Sequence, residues 1–336
     1  MLRYLWLLIG CALAPNAFAV NSASNTSPDA AIDRPALAGA TAQPSRHVLQ
    51  HDGVERSYYL VTPQRIENQP LAAVIVLHGG GGNARSIMRA TGFAEMALAE
   101  RFIAVFPEGT GRLPNVLTWN ARHCCGYAMQ KHVDDVGFIA TLIDTLVREH
   151  GADPARVYVT GMSNGGLMAH QLGYRLPDRI AAIAPVAGGL FGDETALEYS
   201  TPGNTVSALI INGALDTSVP PAGGRSGGRF PAAWDGHTLA PAGRQATFWA
   251  QAAGCEPHPI TVTSNDSVLT QFSCPPGVSV SAYLLTSHRH EWPGGARGSI
   301  PGQRPSAGTN ATKLIWAFFK AHPKWAVGPR ARRPEP

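Results

Sequence analysis

The chain has 336 residues, a formal net charge of +4 and only 15% charged residues, so it carries no strong electrostatic signature. No basic stripe interleaved with aromatics occurs, so a nucleic-acid partner is not expected, and the low charge density points to a neutral or apolar substrate. A hydrophobic content of 44% supports a large core, and 36 Gly with 27 Pro call for many turns and loops.

The first 19 residues read as a leader: Arg3 gives a positive start, Tyr4 to Ala14 is apolar, and Ala17-Phe18-Ala19 fits a small-residue cleavage site. Cleavage after Ala19 would send the protein to the periplasm or the medium. Leu8-Ile9-Gly10-Cys11 also resembles a lipobox, but that reading leaves a very short hydrophobic core. The apolar run is too short to anchor the chain across a bilayer, so no membrane span is expected. Residues 20–45 are rich in Asn, Ser, Thr, Ala and Pro and read as a disordered tether, while residues 323–336 form a basic, Pro-rich tail. Between them, residues 46–322 form the folded part, expected to be a single domain and a monomer.

His47-Val48-Leu49 and Ser57 to Val61 look like two strands joined at Asp52-Gly53. Leu71 to Leu77 is a continuous apolar run, as in a strand buried on both faces of a parallel sheet. It ends in His78-Gly79-Gly80-Gly81-Gly82-Asn83. A helix is predicted over Phe93–Arg101, a buried strand over Phe102–Phe106, and a second helix over Val136–Glu149 with Asp134 or Asp135 as its N-cap. Further strands are predicted at Arg156–Thr160, Ile180–Ala184, Ser207–Ile211 and Val280–Leu285, with a closing helix at Ala311–Lys320. Strands alternating with helices predict an α/β protein with a doubly wound, mainly parallel sheet.

The strand at Arg156–Thr160 runs directly into Gly161-Met162-Ser163-Asn164-Gly165, and helical spacing follows from Leu167. Strand, G-x-S-x-G and helix in that order describe a nucleophile elbow, a sharp turn that lifts a serine Oγ above a sheet. A plain Gly/Ser turn is the alternative, so partners decide. Serine needs a base, and the base needs a group to orient it. In such a sheet the partners follow in the order Ser, acid, His, on loops beyond the strand ends. Asp216 lies in the loop after the strand ending at Ile211, although an Asx-turn would also explain an aspartate there. Asp193, Glu194 and Asp235 compete but stand further from a strand end. His288 and His290 both follow the last strand, and spacing does not choose between them.

Acyl transfer builds negative charge on a carbonyl oxygen, which preorganised backbone N–H groups can bind. The residue after the nucleophile, Asn164, is one expected donor; the Gly-rich loop supplies the other from Gly80, with Gly81 as alternative. No Gly-Lys-Ser/Thr follows that loop, which argues against phosphate binding. His123 with Cys124 and Cys125, and His288 with His290, lack the spacing of a zinc site, so neither metal nor cofactor is expected.

Removal of Cys11 with the leader leaves Cys124, Cys125, Cys255 and Cys274, an even number that favours disulfides in an exported chain. Cys255 and Cys274 bracket a predicted hairpin and are expected to pair. Neighbouring Cα atoms are about 3.8 Å apart, shorter than the usual lower limit of about 4.4 Å for a bridge, so a Cys124–Cys125 bond would be strained. It is nevertheless preferred here over crossed pairing with the hairpin or two free thiols.

His78-Gly79-Gly80, Trp119-Asn120, Cys124-Cys125-Gly126, Val133-Asp134-Asp135-Val136-Gly137-Phe138-Ile139, Gly161-Met162-Ser163-Asn164-Gly165-Gly166 and His290-Glu291-Trp292-Pro293-Gly294 together resemble the polyhydroxybutyrate depolymerase-like esterases. That α/β-hydrolase group also includes feruloyl and acetylxylan esterases, and the resemblance covers residues 46–320. It implies an α/β-hydrolase fold and a serine esterase working through an acyl-enzyme on a small ester or polyester. The H-x-W-P-G pattern of the family selects His290, and its Asp-x-x-Val-Pro pattern places the acid at Asp216. Trp119 and Trp292, with Trp234, are expected to line the acyl or alcohol pocket, core burial being the alternative for each. Asp134 and Asp135 are expected to cap their helix.

Overall fold

A computed structural model of the chain describes residues 43–64, 69–192, 206–226, 234–297, 304–306 and 308–324. The expected leader, most of the 20–45 tether, the tail beyond residue 324, Asp193, Glu194 and residues 227–233 lie outside the described residues.

Strands β1 (Ser45–His51) and β2 (Val54–Val61) form the expected hairpin, and both turn residues, Asp52 and Gly53, take positive φ. Then come β3 (Leu71–Leu77), helices α1 (Ala84–Thr91) and α2 (Phe93–Glu100), and β4 (Ile103–Pro107). A small hairpin of β5 (Thr110–Leu113) and β6 (Val116–Thr118) precedes α3 (Gly126–Gln130) and α4 (Asp135–His150). The centre of the fold is β7 (Ala152–Met162), α5 (Asn164–Arg175), β8 (Ala182–Val186) and β9 (Ser207–Gly213). Last come α6 (Ala242–Ala252), the hairpin β10 (Ile260–Thr263) and β11 (Ser267–Phe272), β12 (Val280–Leu285) and α7 (Ala311–Ala321).

Ten strands make one sheet in the order β1-β2-β4-β3-β7-β8-β9-β12-β11-β10. The run from β4 to β12 is parallel, and an antiparallel hairpin closes each edge. Parallel strands covered on both faces explain the unbroken apolar run of β3. Leu71, Ala73, Ile75 and Leu77 join one core with α4, α5 and α6, while Ala72, Val74 and Val76 join the opposite core with α1, α2 and α7. Disulfides join Cys124 to Cys125 and Cys255 to Cys274, the latter across the β10–β11 hairpin.

Several elements differ from the sequence expectation. Strand β8 starts two residues later than predicted: the Ile180 N–H still closes the turn after α5 on the Leu176 carbonyl at 3.1 Å, and Ala181 makes the first bond to β7, to the Val157 carbonyl at 2.8 Å. Helices α1, α3 and α6 and the β5–β6 hairpin were not predicted. Helix α1, eight residues long like α2, follows directly on the Gly-rich run, and its start is marked by a complete capping box of Asn83 and Ser86. Helix α6 follows Pro241 and has no side-chain N-cap to mark its start.

Chain order fixes where a ligand can sit. From β3 the chain crosses to β4 on one side and returns to β7 on the other. The loops after β3 and β7 therefore diverge and leave a crevice at the strands' carboxyl ends.

Candidate active site

The turn between β7 and α5 fills that crevice. Ser163 is the N-cap of α5 with φ 57° and ψ −120°, a conformation that costs a non-glycine residue on the order of 1–3 kcal/mol. Its neighbours leave no alternative path. A Cβ on Gly161 would lie 2.5 Å from the Gly165 oxygen, and one on Gly165 would overlap the carbonyls of Leu77 and His78. Strand and helix can converge this closely only with glycine at both positions. The Ser163 N–H is held by the Val186 carbonyl at 3.0 Å, which fixes the residue while leaving Oγ directed away.

Oγ meets His290. Ser163 Oγ lies 2.8 Å from His290 Nε2, and His290 Nδ1 lies 2.8 Å from Asp216 Oδ2. Because a carboxylate oxygen accepts, Nδ1 carries the proton and Nε2 is free to accept from the serine hydroxyl. The other Asp216 oxygen, Oδ1, accepts the N–H groups of Ser218 (2.8 Å) and Val219 (2.9 Å). Both sequence readings of Asp216 are thus realised, one on each oxygen. The carboxylate side chain is wholly buried, whereas the His290 side chain keeps 17% exposure. The loops of the acid and the histidine are zipped together by Leu215 N–H to the His288 carbonyl at 2.9 Å. A Cβ on Gly213 would overlap that same carbonyl.

His288 does not reach the serine; it is buried, and neither ring nitrogen has a partner among the described residues. Trp292 is buried too. Its Nε1–H donates to Thr312 Oγ1 at 2.9 Å, and its ring packs edge-on against Phe93 at 6.2 Å. The Trp-Pro-Gly after His290 therefore anchors the histidine loop to the core beneath α7. Trp119 is likewise without exposed surface, its Nε1–H bound to the His78 carbonyl at 3.0 Å. Expected to line the pocket, both tryptophans are instead core residues, each buried because its one polar atom finds a protein acceptor. Trp234 is partly exposed and packs on Phe191 at 5.8 Å.

Gly79 and Gly80 face the elbow: a Cβ on Gly80 would stand 3.6 Å from the Asn164 Cβ. Within this loop the Gly81 N–H donates to the Leu117 carbonyl (2.8 Å) and the Gly82 N–H to the Gly79 carbonyl (3.0 Å). The Gly80 N–H has no acceptor among the described residues, which favours Gly80 over Gly81 as a donor to a ligand. The loop is braced by His78, whose Nδ1–H donates to the Gly79 carbonyl (2.9 Å) while Nε2 accepts the Gly109 N–H (3.0 Å). Burial pushes the His78 imidazole down to about 4, so it stays neutral, as this bonding requires.

Sequence reasoning missed the side chain of Asn164. Its Oδ1 accepts the Trp119 N–H at 2.7 Å, and its Nδ2 donates to the Trp119 carbonyl at 3.0 Å and lies 3.7 Å from Cys124 Sγ. Asn164 thus clamps the 119–125 loop to the elbow. Asp134 caps α4 as expected, accepting the Gly137 N–H at 2.9 Å. Asp135 does something else: it is buried, pairs with Arg56 at 2.7 Å and accepts the Asn120 N–H at 2.8 Å. Burial pushes its carboxyl up, and Arg56 opposes that most strongly. The Arg56 guanidinium also lies over the Phe138 ring, 3.9 Å from its centroid.

Two groups among the described residues have donors close enough to share a cation, His51 with Asp52 and Asp134, and His123 with Asp235 and His237. Neither includes Ser163, Asp216 or His290. No helix among the described residues is long and apolar enough to cross a membrane.

The profile of the family described as "Esterase PHB depolymerase" matches residues 55–222, half of the chain. The chain belongs to this PHB depolymerase esterase family. Relatives include feruloyl esterase B of Thermothelomyces thermophilus, 28% identical over 144 residues that cover 43% of this chain and 48% of that protein. The poly(3-hydroxybutyrate) depolymerase of Ralstonia pickettii is 29% identical over 166 residues, 46% of this chain and 33% of that protein. The chain therefore spans between a third and a half of these relatives' length. Among solved structures, the acetyl xylan esterase from Aspergillus awamori superposes with a TM-score of 0.54 at 15% identity, covering 82% of this chain and 99% of that one. At that identity the likeness speaks for the shared α/β-hydrolase fold alone. For this member of the PHB depolymerase esterase family, the matched region contains Ser163, Gly80, Asn164 and Asp216 but ends well before His290.

Proposed function

We propose that the protein is an exported serine carboxylic-ester hydrolase working through an acyl-enzyme. The observation that carries this reading is the hydrogen-bonded chain from Ser163 Oγ through His290 to Asp216, with both links at 2.8 Å. Ser163 Oγ attacks the ester carbonyl as His290 Nε2 takes its proton, and the imidazolium is steadied by Asp216. The oxyanion that forms is bound by the N–H groups of Gly80 and Asn164; losing one such donor typically costs about 3–4 kcal/mol. Collapse of the tetrahedral intermediate expels the alcohol, which takes the proton back from His290. Water then enters by the same steps and releases the acid.

For substrate class we infer a hydroxyalkanoate oligomer or polyester, in keeping with the family description. A feruloyl or acetylxylan ester is the second reading, favoured by the similarity to feruloyl esterase B. Both fit a neutral, acyl-ester substrate, with short or aromatic acyl groups preferred over long fatty chains. Export rests on the leader pattern at Ala17-Phe18-Ala19 and on the two disulfides.

The test is labelling with diethyl p-nitrophenyl phosphate followed by peptide mapping, beside rates on p-nitrophenyl acetate, butyrate, octanoate and laurate, methyl ferulate and polyhydroxybutyrate film. One phosphoryl adduct on the Ser163 peptide, with loss of ester turnover, is expected. An adduct elsewhere, or full turnover after labelling, would sink the mechanism. Hydrolysis of methyl ferulate without attack on the film would select the second substrate class, and a maximum at laurate would reject both.

A further inference from the structure

We propose that His123, Asp235 and His237 form a binding site for a divalent transition-metal ion of the Zn²⁺ class, and that the ion fastens the segment from Trp234 to Leu239 onto the Cys124 loop. The proposal does not depend on the esterase reading.

The donors converge in an unusual way. One carboxylate holds two imidazoles: Asp235 Oδ2 is 2.6 Å from His123 Nδ1, and Oδ1 is 2.9 Å from His237 Nδ1. The two rings lie face to face, with centroids 3.6 Å apart and planes 19° from parallel. One donor atom from each residue therefore falls within 4.8 Å of the other two. A lone histidine–aspartate pair on a surface needs no such arrangement. A charged carboxylate oxygen and two imidazole nitrogens on one spot make a ligand set suited to Zn²⁺, Cu²⁺ or Ni²⁺. Magnesium and calcium prefer oxygen donors throughout.

The scaffold is already in place. The Asp235 N–H donates to the His123 carbonyl at 3.3 Å, Trp234 makes a backbone bridge to Cys124, and the His237 N–H donates to Asp235 Oδ1 at 3.1 Å. Phe191 supports the His123 ring edge-on at 4.9 Å. Side-chain exposures of 13% for His123, 33% for Asp235 and 51% for His237 give the ion a path in and leave coordination positions for water. An entering ion would occupy the Nδ1 positions, and each Nδ1 proton would move to Nε2 of the same ring. Sequence spacing gives no sign of the site because His123 and Asp235 are 112 residues apart. Its position is consequential, since Cys124 Sγ lies 3.7 Å from the Asn164 side chain.

The experiment is calorimetric titration of the purified, tag-free, chelator-treated chain with ZnCl₂ and, separately, MgCl₂. One Zn²⁺ per chain is expected, with no saturable heat from Mg²⁺. Asp235→Asn and His237→Ala should each weaken binding at least about tenfold, in line with losses seen when groups supporting a metal site are removed. His51→Ala, in the other imidazole–carboxylate group, should bind as the parent does. No saturable Zn²⁺ binding, equal Mg²⁺ binding, or affinity that survives both substitutions overturns the proposal. Should the variants misfold, electron paramagnetic resonance of Cu²⁺ on the unsubstituted chain still decides. Superhyperfine structure from two imidazole nitrogens is expected, and any other number overturns the assignment.

Discussion

Two neighbourhoods meet at Asn164, and they are built differently. On one side, Ser163, Asp216 and His290 sit just beyond the carboxyl ends of β7, β9 and β12. Their spacing is inherited from the parallel sheet, and short loops do the rest. On the other side, the 119–125 loop follows the small β5–β6 hairpin and belongs to no strand of the main sheet. It stays in place through Asn164, the buried Asp135 carboxylate and the edge of the Trp234 segment. Changes on the first side should therefore remove chemistry and spare the fold. Changes on the second should cost stability first and activity only through it.

The sharpest break comes at the serine. Ser163→Ala should lower kcat on p-nitrophenyl butyrate by about 10⁴–10⁶-fold with the urea midpoint unmoved. His290→Ala should match it, while His288→Ala, a buried residue outside the hydrogen-bonded chain, should keep activity within about tenfold of the parent. Reversed ranking of the two histidines would mean that the wrong loop residue has been given the base.

Arg56→Ala tests the second side. It leaves the Asp135 carboxylate buried without its partner, a change that costs about 3–5 kcal/mol in comparable buried pairs. Urea unfolding should show that loss, while kcat per folded molecule falls less than about tenfold. A stable Arg56→Ala variant with kcat as low as that of Ser163→Ala would abolish the distinction between the two sides.

The contrast also explains what could be read from the sequence. The buried strand Leu71–Leu77, the elbow glycines and the Asp52-Gly53 turn are local patterns whose cause lies within a few residues, and all three appear in the structure. Spacing left His288 and His290 equal; the family pattern preferred His290, and the buried Trp292 anchor gives that pattern a physical basis. The clamp between Asn164 and Trp119 joins residues 45 apart, and Arg56 meets Asp135 across 79 residues. No local period encodes such pairs. The tryptophans misled because a ring near a strand end suits a pocket and a core equally well, and only the acceptors for Nε1–H distinguish the two.

Asn164→Ala asks whether the clamp is structural. The Trp119 N–H would lose its partner in a buried setting, at about 1–3 kcal/mol, while the Trp119 carbonyl keeps the Cys125 N–H at 2.9 Å. We expect a loss of about 1–3 kcal/mol in urea unfolding with kcat little changed, since the backbone N–H at position 164 remains available to an oxyanion. Full stability with lowered kcat would assign the side chain to catalysis instead and move Asn164 wholly to the first side.

The smallest effect is a slope, and it concerns the helix that bears the elbow. His170 on α5 is fully buried: its Nδ1 accepts the Trp249 Nε1–H at 2.9 Å, and its Nε2–H donates to Gln245 Oε1 at 3.1 Å. That bonding pins α5 to α6 and uses the neutral ring. Burial pushes the imidazole down to about 4 from its ordinary 6.5. Between those two values the unfolded chain binds a proton that the folded chain refuses, so acid favours unfolding. The contribution is fully present above about pH 6.5, declines as pH falls, and levels off below about pH 4. One such group gives a slope of about 1.4 kcal/mol per pH unit in the middle of that window. His78, neutral for the same reason, adds a second. His170→Gln should be less stable at pH 7 but should lose stability more slowly on acidification, by about one proton's worth between pH 6 and 4.5. Carboxylates that also titrate there cancel when the variant's urea-unfolding series is subtracted from the parent's. Parallel curves would show that the folded protein already accommodates a charged His170, and the neutral hydrogen-bond pattern tying α5 to α6 would have to be abandoned.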